Sequence, residues 1–156
     1  MPDACGEVMI FVTVGTTDFD ALVERVDQLA PELMQPVVMQ IGVGHYQPQC
    51  VAEYFRFAPS LEPYFEQATL VISHGGLGAL VEALRRRCRL IGVSNPERYD
   101  RHQDDLLSYF EEQGYLLWCR DLAHLDRDLE RAVQMTFRPY PDPPCEIHDV
   151  INTFLG

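Results

Sequence analysis

Ser73-His74-Gly75-Gly76-Leu77-Gly78-Ala79-Leu80-Val81-Glu82 joins an apolar, strand-like run (residues 68–72) to an apolar, helix-like one. Three glycines in four positions let backbone approach something bulky. They do so at the start of a helix, where unpaired backbone N–H groups and the helix dipole attract phosphate. Glu82, one turn further on, is placed to accept hydrogen bonds from a neighbouring hydroxyl such as that of a ribose. Binding a nucleotide diphosphate is the chemistry this combination suits best. The stretch is neither a dinucleotide fingerprint, whose GxGxxG spacing differs, nor a Walker loop, because no Lys-Ser or Lys-Thr follows the glycines. A glycine turn and a helix-borne glutamate also occur as plain structure, so the other loops must be weighed beside it.

Three more polar stretches follow apolar runs. Asn95-Pro96-Glu97-Arg98-Tyr99-Asp100-Arg101-His102-Gln103 leads into a helix, where its side chains can meet sugar hydroxyls or simply line a loop. Gly15-Thr16-Thr17 offers small hydroxyl residues beside space for a ligand, or else a tight turn before a capped helix. Gly42-Val43-Gly44-His45 reads as a flexible, glycine-bounded loop whose histidine can act as acid or base, or as a plain loop. No metal site is expected: His45, His74, His102, His124 and His148 lack a histidine or cysteine partner at ligand spacing. A serine hydrolase is unsupported, because the Gly-x-Ser-x-Gly elbow is absent.

The elements that must position these loops alternate. Strands are expected over 8–14, 37–41, 54–57, 68–72, 90–93 and 115–118. Helices are expected over 19–29 with Asp18 as N-cap, 60–67 with Ser60 as N-cap, 77–87, 104–113 ended by Gly114, and 125–137. The continuous apolar, β-branched runs suit strands covered on both faces. Strands alternating with helices imply an α/β, Rossmann-like open and mostly parallel sheet with helices on both faces. Ligands of such sheets bind beyond the carboxyl ends of the strands, where all four polar stretches lie. Residues 1–138 are read as one domain, which the resemblance given below makes nucleotide-sugar-binding, and 139–156 as a proline-rich linker with a C-terminal helix, packed on the body or on a partner.

Composition narrows the function. With 156 residues and 47% apolar residues, the chain can bury a real core. Its formal net charge of -12 argues against binding nucleic acid or a bare anionic bilayer. No run is long enough for direct membrane insertion, so a membrane role requires a partner. Five cysteines, odd in number, without CxxC spacing or a secretory signal, read as free thiols of a cytoplasmic protein. Cys88 and Cys119 read as small buried hydrophobes.

The segments IFVTVGTT, VISHGGLGALVEAL and NPERYDRHQDDL, in that order, resemble a family of small single-domain glycosyltransferases. The family is related to the C-terminal half of the lipid-II-forming N-acetylglucosaminyltransferase (glycosyltransferase family 28). It is similar above all to the catalytic subunits of bacterial exopolysaccharide glycosyltransferase pairs, and a eukaryotic cousin adds the second GlcNAc to dolichol-linked chitobiose. The resemblance covers residues 8–117. It implies the C-terminal, donor-binding half of a GT-B enzyme and inverting transfer from a UDP-sugar donor without metal or cofactor. It further implies a polyprenyl-diphosphate-linked acceptor in cell-surface polysaccharide biosynthesis. A membrane-anchored partner subunit would supply the other half of the enzyme and recruit this chain to the inner face of the cell membrane.

Residue by residue, the resemblance places His74, Gly75, Gly76 and Gly78 at the diphosphate and Glu82 at the donor ribose. It places His102 and Gln103 near the donor sugar, Asn95 in a loop near the donor, and Phe57 where relatives pack the uracil. Gly15, Thr16 and Thr17 face the cleft between the two halves, on the acceptor side. Ala79 departs from the small hydroxyl residue common in relatives, removing one phosphate hydrogen bond, and Leu77 is bulkier than usual. Asp18 and His45 are the candidate general bases, unless the partner supplies the base. A non-catalytic nucleotide-sugar-binding or regulatory subunit is the alternative reading. A different Rossmann-type enzyme, such as an epimerase half or an NAD protein, is a third, opposed by the missing GxGxxG.

Overall fold

The computed structural model describes residues 8–95 and 101–140, without the side chains of Arg101 and His102. The strands are β1 (Met9–Thr13), β2 (Val37–Gln40), β3 (Glu53–Phe55), β4 (Ala68–His74), β5 (Arg89–Val93) and β6 (Leu117–Cys119). They form one six-stranded sheet in the order β3-β2-β1-β4-β5-β6, every pair parallel. The helices are α1 (Asp20–Leu29), α2 (Glu62–Gln67), α3 (Leu77–Arg85), α4 (Arg101–Glu112) and α5 (Leu125–Gln134). The expected α/β class and parallel sheet are therefore present.

Alternation along the buried strands feeds two cores. Ile10, Val12, Met39, Ile72 and Ile91 point to one face, where Leu22 and Val26 of α1 and Leu125 and Leu129 of α5 cover them. Phe11, Val38, Val71 and Leu90 point to the other, beneath Phe65 of α2, Leu80 and Leu84 of α3, and Leu107 and Phe110 of α4. Tyr140 belongs to this second core, where it meets Phe110 and Tyr115 edge-on. The C-terminal helix expected beyond it lies outside the described residues. Among the described residues, no helix is long and apolar enough to cross a membrane.

Several boundaries differ from the sequence reading. Asp18 does not cap α1: the N-cap is Phe19, without a side-chain hydrogen bond, and its carbonyl accepts from Leu22 and Val23. Chain direction explains the change, because the Asp18 carbonyl is turned toward Asn95 instead. The cap of α2 is likewise Leu61, although Ser60 Oγ still accepts from Glu62 N–H at 3.1 Å. Helix α3 stops at Arg85, because Arg87 takes a left-handed conformation (φ 62°). Arg87 N–H then bonds Leu84 O and Cys88 N–H bonds Ala83 O, the paired bonds of a Schellman motif. Gly114 does the same for α4, with φ 81° and bonds from Gly114 to Glu111 and from Tyr115 to Phe110. Helix α5 ends at Gln134, three residues short of the expected end, where Arg89 Nη1 donates to Ala132 O and Met135 O.

Cys50, Cys88 and Cys119 are free thiols. Burial pushes the Cys88 thiol up to about 11. Burial, then a hydrogen bond with Asp128, pushes Cys119 up to about 12. Cys119 is buried, as expected, whereas Cys88 is only half-buried, its thiol donating to the Phe65 carbonyl.

Candidate functional site

The strand order reverses between β1 and β4, which lie side by side at the centre of the sheet. Their following loops part at the carboxyl edge, where open parallel sheets bind ligands. The β1 loop is fixed by a residue that the sequence reading missed. Gln40, 2% exposed, accepts from Thr13 Oγ1 (2.6 Å) and Gly15 N–H (2.9 Å) through Oε1. Its Nε2 donates to Gly15 O and Arg56 O, both at 2.7 Å. One buried amide thus ties the loop after β1 to the end of β3. The available signal was a glutamine inside the apolar run 37–41. A polar side chain there has to find partners or leave its strand.

The β4 loop is built from glycines with different tasks. A methyl on Gly15 would stand 2.9 Å from His74 Cε1, and a methyl on Gly76 would collide with His74 Nε2. The imidazole is therefore wedged between the two loops, where only glycine leaves room. A methyl on Gly75 would press on Gln103 Cβ at 2.9 Å, so the start of α4 packs directly on the turn. Gly78 is different: a methyl there would meet nothing within 4 Å. Gly78 is exposed and lines the cleft.

Helix α3 begins without a side-chain cap. Its backbone bonding starts with Leu80 N–H to Gly76 O, so the N–H groups of Leu77, Gly78 and Ala79 project from the helix end. Gly78 and Ala79 border a cleft of about 330 Å3 between β1, α2 and α3, bounded also by Thr13, Gly15, Ser60 and Glu82. Glu82 stands on its wall with its Oε2 2.6 Å from Arg86 Nε. Arg86 also meets Glu62 (3.2 Å) and Glu66 (3.3 Å) of α2. The hydrogen bond with Glu82 raises the guanidinium above its ordinary pKa, against the opposing effect of burial and with further support from Glu62. In the sequence Arg86 is simply the middle of three consecutive arginines, residues 85–87, at the end of the helix.

The remaining candidates spread along the same edge. Asn95 Nδ2 donates to Asp18 O at 3.1 Å, joining the loop after β5 to the loop after β1. Thr17 Oγ1 donates to Val14 O at 3.0 Å, while Thr16 is exposed. Phe57 follows β3 with 54% of its surface exposed, a large aromatic face open to a ligand or a partner. His45 is exposed too, but its loop is held, contrary to the flexible reading. Asp20 accepts from the N–H groups of His45 and Tyr46, and Arg56 Nη1 donates to Gly42 O and Gly44 O. Asp27, 3% exposed, anchors the next stretch by accepting from Tyr46 Oη (2.7 Å) and from Gln49 and Cys50 N–H. That bond, with burial behind it, pushes the Tyr46 phenol up to about 12. The side chain of His102 lies outside the described residues.

Two Asp-x-Asp spacings occur in the chain, Asp18 with Asp20 and Asp126 with Asp128. Asp20 serves the loop just described, and Asp128 lies 3.7 Å from Arg131 and bonds Cys119. Among the described residues, no three His, Cys, Asp or Glu side chains converge on a point where a metal ion would sit.

Residues 9–144 match the model of the glycosyltransferase family 28 C-terminal domain. The chain is 35% identical over 123 residues to the mouse UDP-N-acetylglucosamine transferase subunit ALG13, covering 70% of this chain and 10% of that protein. The human protein of the same name is 33% identical over 124 residues, with 70% and 11% covered. The chain thus spans about a tenth of the length of these relatives. The solution structure of ALG13 superposes with a TM-score of 0.69 at 20% identity, covering 99% of this chain and all 100% of that one. MurG of Acinetobacter baumannii superposes with a TM-score of 0.65 at 18% identity, over 97% of this chain and 51% of MurG. These likenesses carry the fold.

Proposed function

The chain belongs to the glycosyltransferase family 28 C-terminal domain family, and from that premise we propose that it is the donor-binding, catalytic subunit of a UDP-sugar-dependent glycosyltransferase. One observation carries the reading. Gly78 and Ala79, two of the three residues whose N–H groups project from the start of α3, line the switch-point cleft, and Gly78 leaves that cleft unobstructed without being required by packing. The names of the mouse and human relatives make UDP-N-acetylglucosamine the first donor to test.

In this reading the diphosphate lies against the start of α3 and Glu82 accepts from the ribose hydroxyls. Phe57 packs the uracil, and Gln103 with His102 orients the hexose, which contributes by proximity. The acceptor hydroxyl attacks the anomeric carbon from the side opposite UDP. The new glycosidic bond forms as the bond to the diphosphate oxygen breaks, and configuration inverts. Negative charge grows on the departing UDP, where the α3 amides and dipole stabilise it in place of a metal ion. The attacking hydroxyl passes its proton to a base, for which Asp18 and His45 are this chain's candidates on the acceptor side with Gly15, Thr16 and Thr17.

A membrane-anchored partner supplies the other half of the enzyme and brings this subunit to the inner face of the membrane. There the acceptor is a polyprenyl-diphosphate-linked sugar of surface polysaccharide biosynthesis. The test is transfer by the complete complex with UDP-N-acetylglucosamine as donor. Glu82→Ala and Gln103→Ala should each lower kcat/KM at least tenfold. Full transfer by both variants would show that the chemistry lies elsewhere.

A further inference from the structure

Glu82 is not held by its own helix alone. Arg86, one turn on and 26% exposed, directs its three nitrogens to three carboxylates: Nε to Glu82 Oε2, Nη2 to Glu62 Oε1 and Nη1 to Glu66 Oε1. Glu62 and Glu66 sit one turn apart on α2, as Glu82 and Arg86 do on α3. Glu62 and Glu82 both line the switch-point cleft, from opposite walls. The guanidinium fork therefore bridges the two walls of one cleft. A lysine gathers its donors on one nitrogen and lacks the planar fork that aims separate nitrogens at three separate carboxylates. Three carboxylates and one guanidinium also leave two formal negative charges here rather than three, which matters beside an anionic ligand.

We propose that Arg86 is a positioning residue that fixes the Glu82 carboxylate, and with it the wall of α2, for the ribose hydroxyls of a uridine diphosphate donor. Arg86 holds Oε2 alone, and Oε1 of Glu82 is the oxygen that accepts from the ribose. Without Arg86, Glu82 turns to solvent and Glu62 repels it across the cleft. The proposal rests on the donor-binding reading above, and its test separates the two.

Binding of UDP and of 2′,3′-dideoxyuridine diphosphate is measured by calorimetry on the wild-type chain and on Arg86→Met and Arg86→Lys, with circular dichroism for the fold. Wild-type protein that binds neither nucleotide overturns the donor-binding reading itself. Given wild-type binding, both variants should lose about tenfold in UDP affinity, while affinity for the dideoxy analogue changes less than twofold. Equal losses for the two nucleotides would mean that Arg86 acts on phosphate charge or on the fold, and no loss for UDP would mean that Glu82 needs no support. Either result overturns the proposal. If Arg86→Met does not fold, Arg86→Lys, which keeps charge and helix propensity, decides by the same criterion.

Discussion

Gly78→Ala should make this protein more stable and a poorer binder of UDP. A methyl at residue 78 meets nothing within 4 Å, so no packing or clash term opposes the substitution. Alanine is preferred over glycine inside a helix by about 0.8–1 kcal/mol, and residue 78 lies in the first turn of α3, where part of that applies. A gain of about 0.5–1 kcal/mol raises Tm by roughly 1–4 °C for a chain of this size. The same methyl stands on the cleft wall beside the amides of Leu77 and Ala79. Forcing a phosphate away from one such N–H forfeits a hydrogen bond to a charged group, about 1.5–3 kcal/mol, or roughly ten- to a hundredfold in Kd. Thermal unfolding and calorimetric titration with UDP on the same preparations read both effects. Unchanged UDP affinity in a stabilised variant would refute the reasoning. So would a loss of affinity that merely follows a loss of stability, because residue 78 would then serve packing.

Other perturbations test the supports of the site. Gln40→Leu strips the loop after β1 of its bonds to Thr13, Gly15 and Arg56 and leaves the buried Thr13 hydroxyl without its acceptor, so urea unfolding should show a loss of about 2–4 kcal/mol. Arg87→Gly relieves a left-handed residue at the end of α3 and should add about 1 kcal/mol by the same measurement. At pH 8, alkylation followed by mass spectrometry should modify exposed Cys50 readily. Thiols raised from 9 to about 11 (Cys88) and about 12 (Cys119) should react about a hundredfold and a thousandfold more slowly than unperturbed ones, because their thiolate fractions fall in that proportion. Raised thiol pKa values favour the folded state below pH 9, and that contribution fades as pH climbs toward 11 and 12.

What the sequence made legible was local. Runs such as Val-Met-Ile-Phe-Val announce a strand covered on both faces, and β1 is buried along its whole length. The alternation of such runs with helical spacing was enough for a parallel sheet and for the carboxyl edge at which the candidate loops gather. The Ser73–Glu82 stretch could be placed between β4 and α3 because glycines and apolar spacing are properties of adjacent residues. What stayed hidden depends on contacts between distant segments. Gln40 meets Thr13 only because β1 and β2 pair in a register that puts those residues side by side. Arg86 reaches Glu62 only because α2 and α3 lie on one face of the sheet. Gly15 and Gly76 read as two separate turns until the His74 ring is seen between them. The cap of α1 failed for a related reason: Asp18 is a good capping type, but Asn95, 77 residues away, claims its carbonyl and fixes the path of the chain there.

The central claim is that main-chain N–H groups at the start of α3 hold the diphosphate of an activated nucleotide. Titrating the 15N-labelled chain with UDP, and separately with UMP, tests it directly through the amide resonances of Leu77, Gly78 and Ala79. The account predicts saturable shifts at these amides with UDP and much smaller ones with UMP, whose single phosphate spans less of the cleft. Amides at 77–79 that stay in place while UDP binds elsewhere, or does not bind, would contradict it.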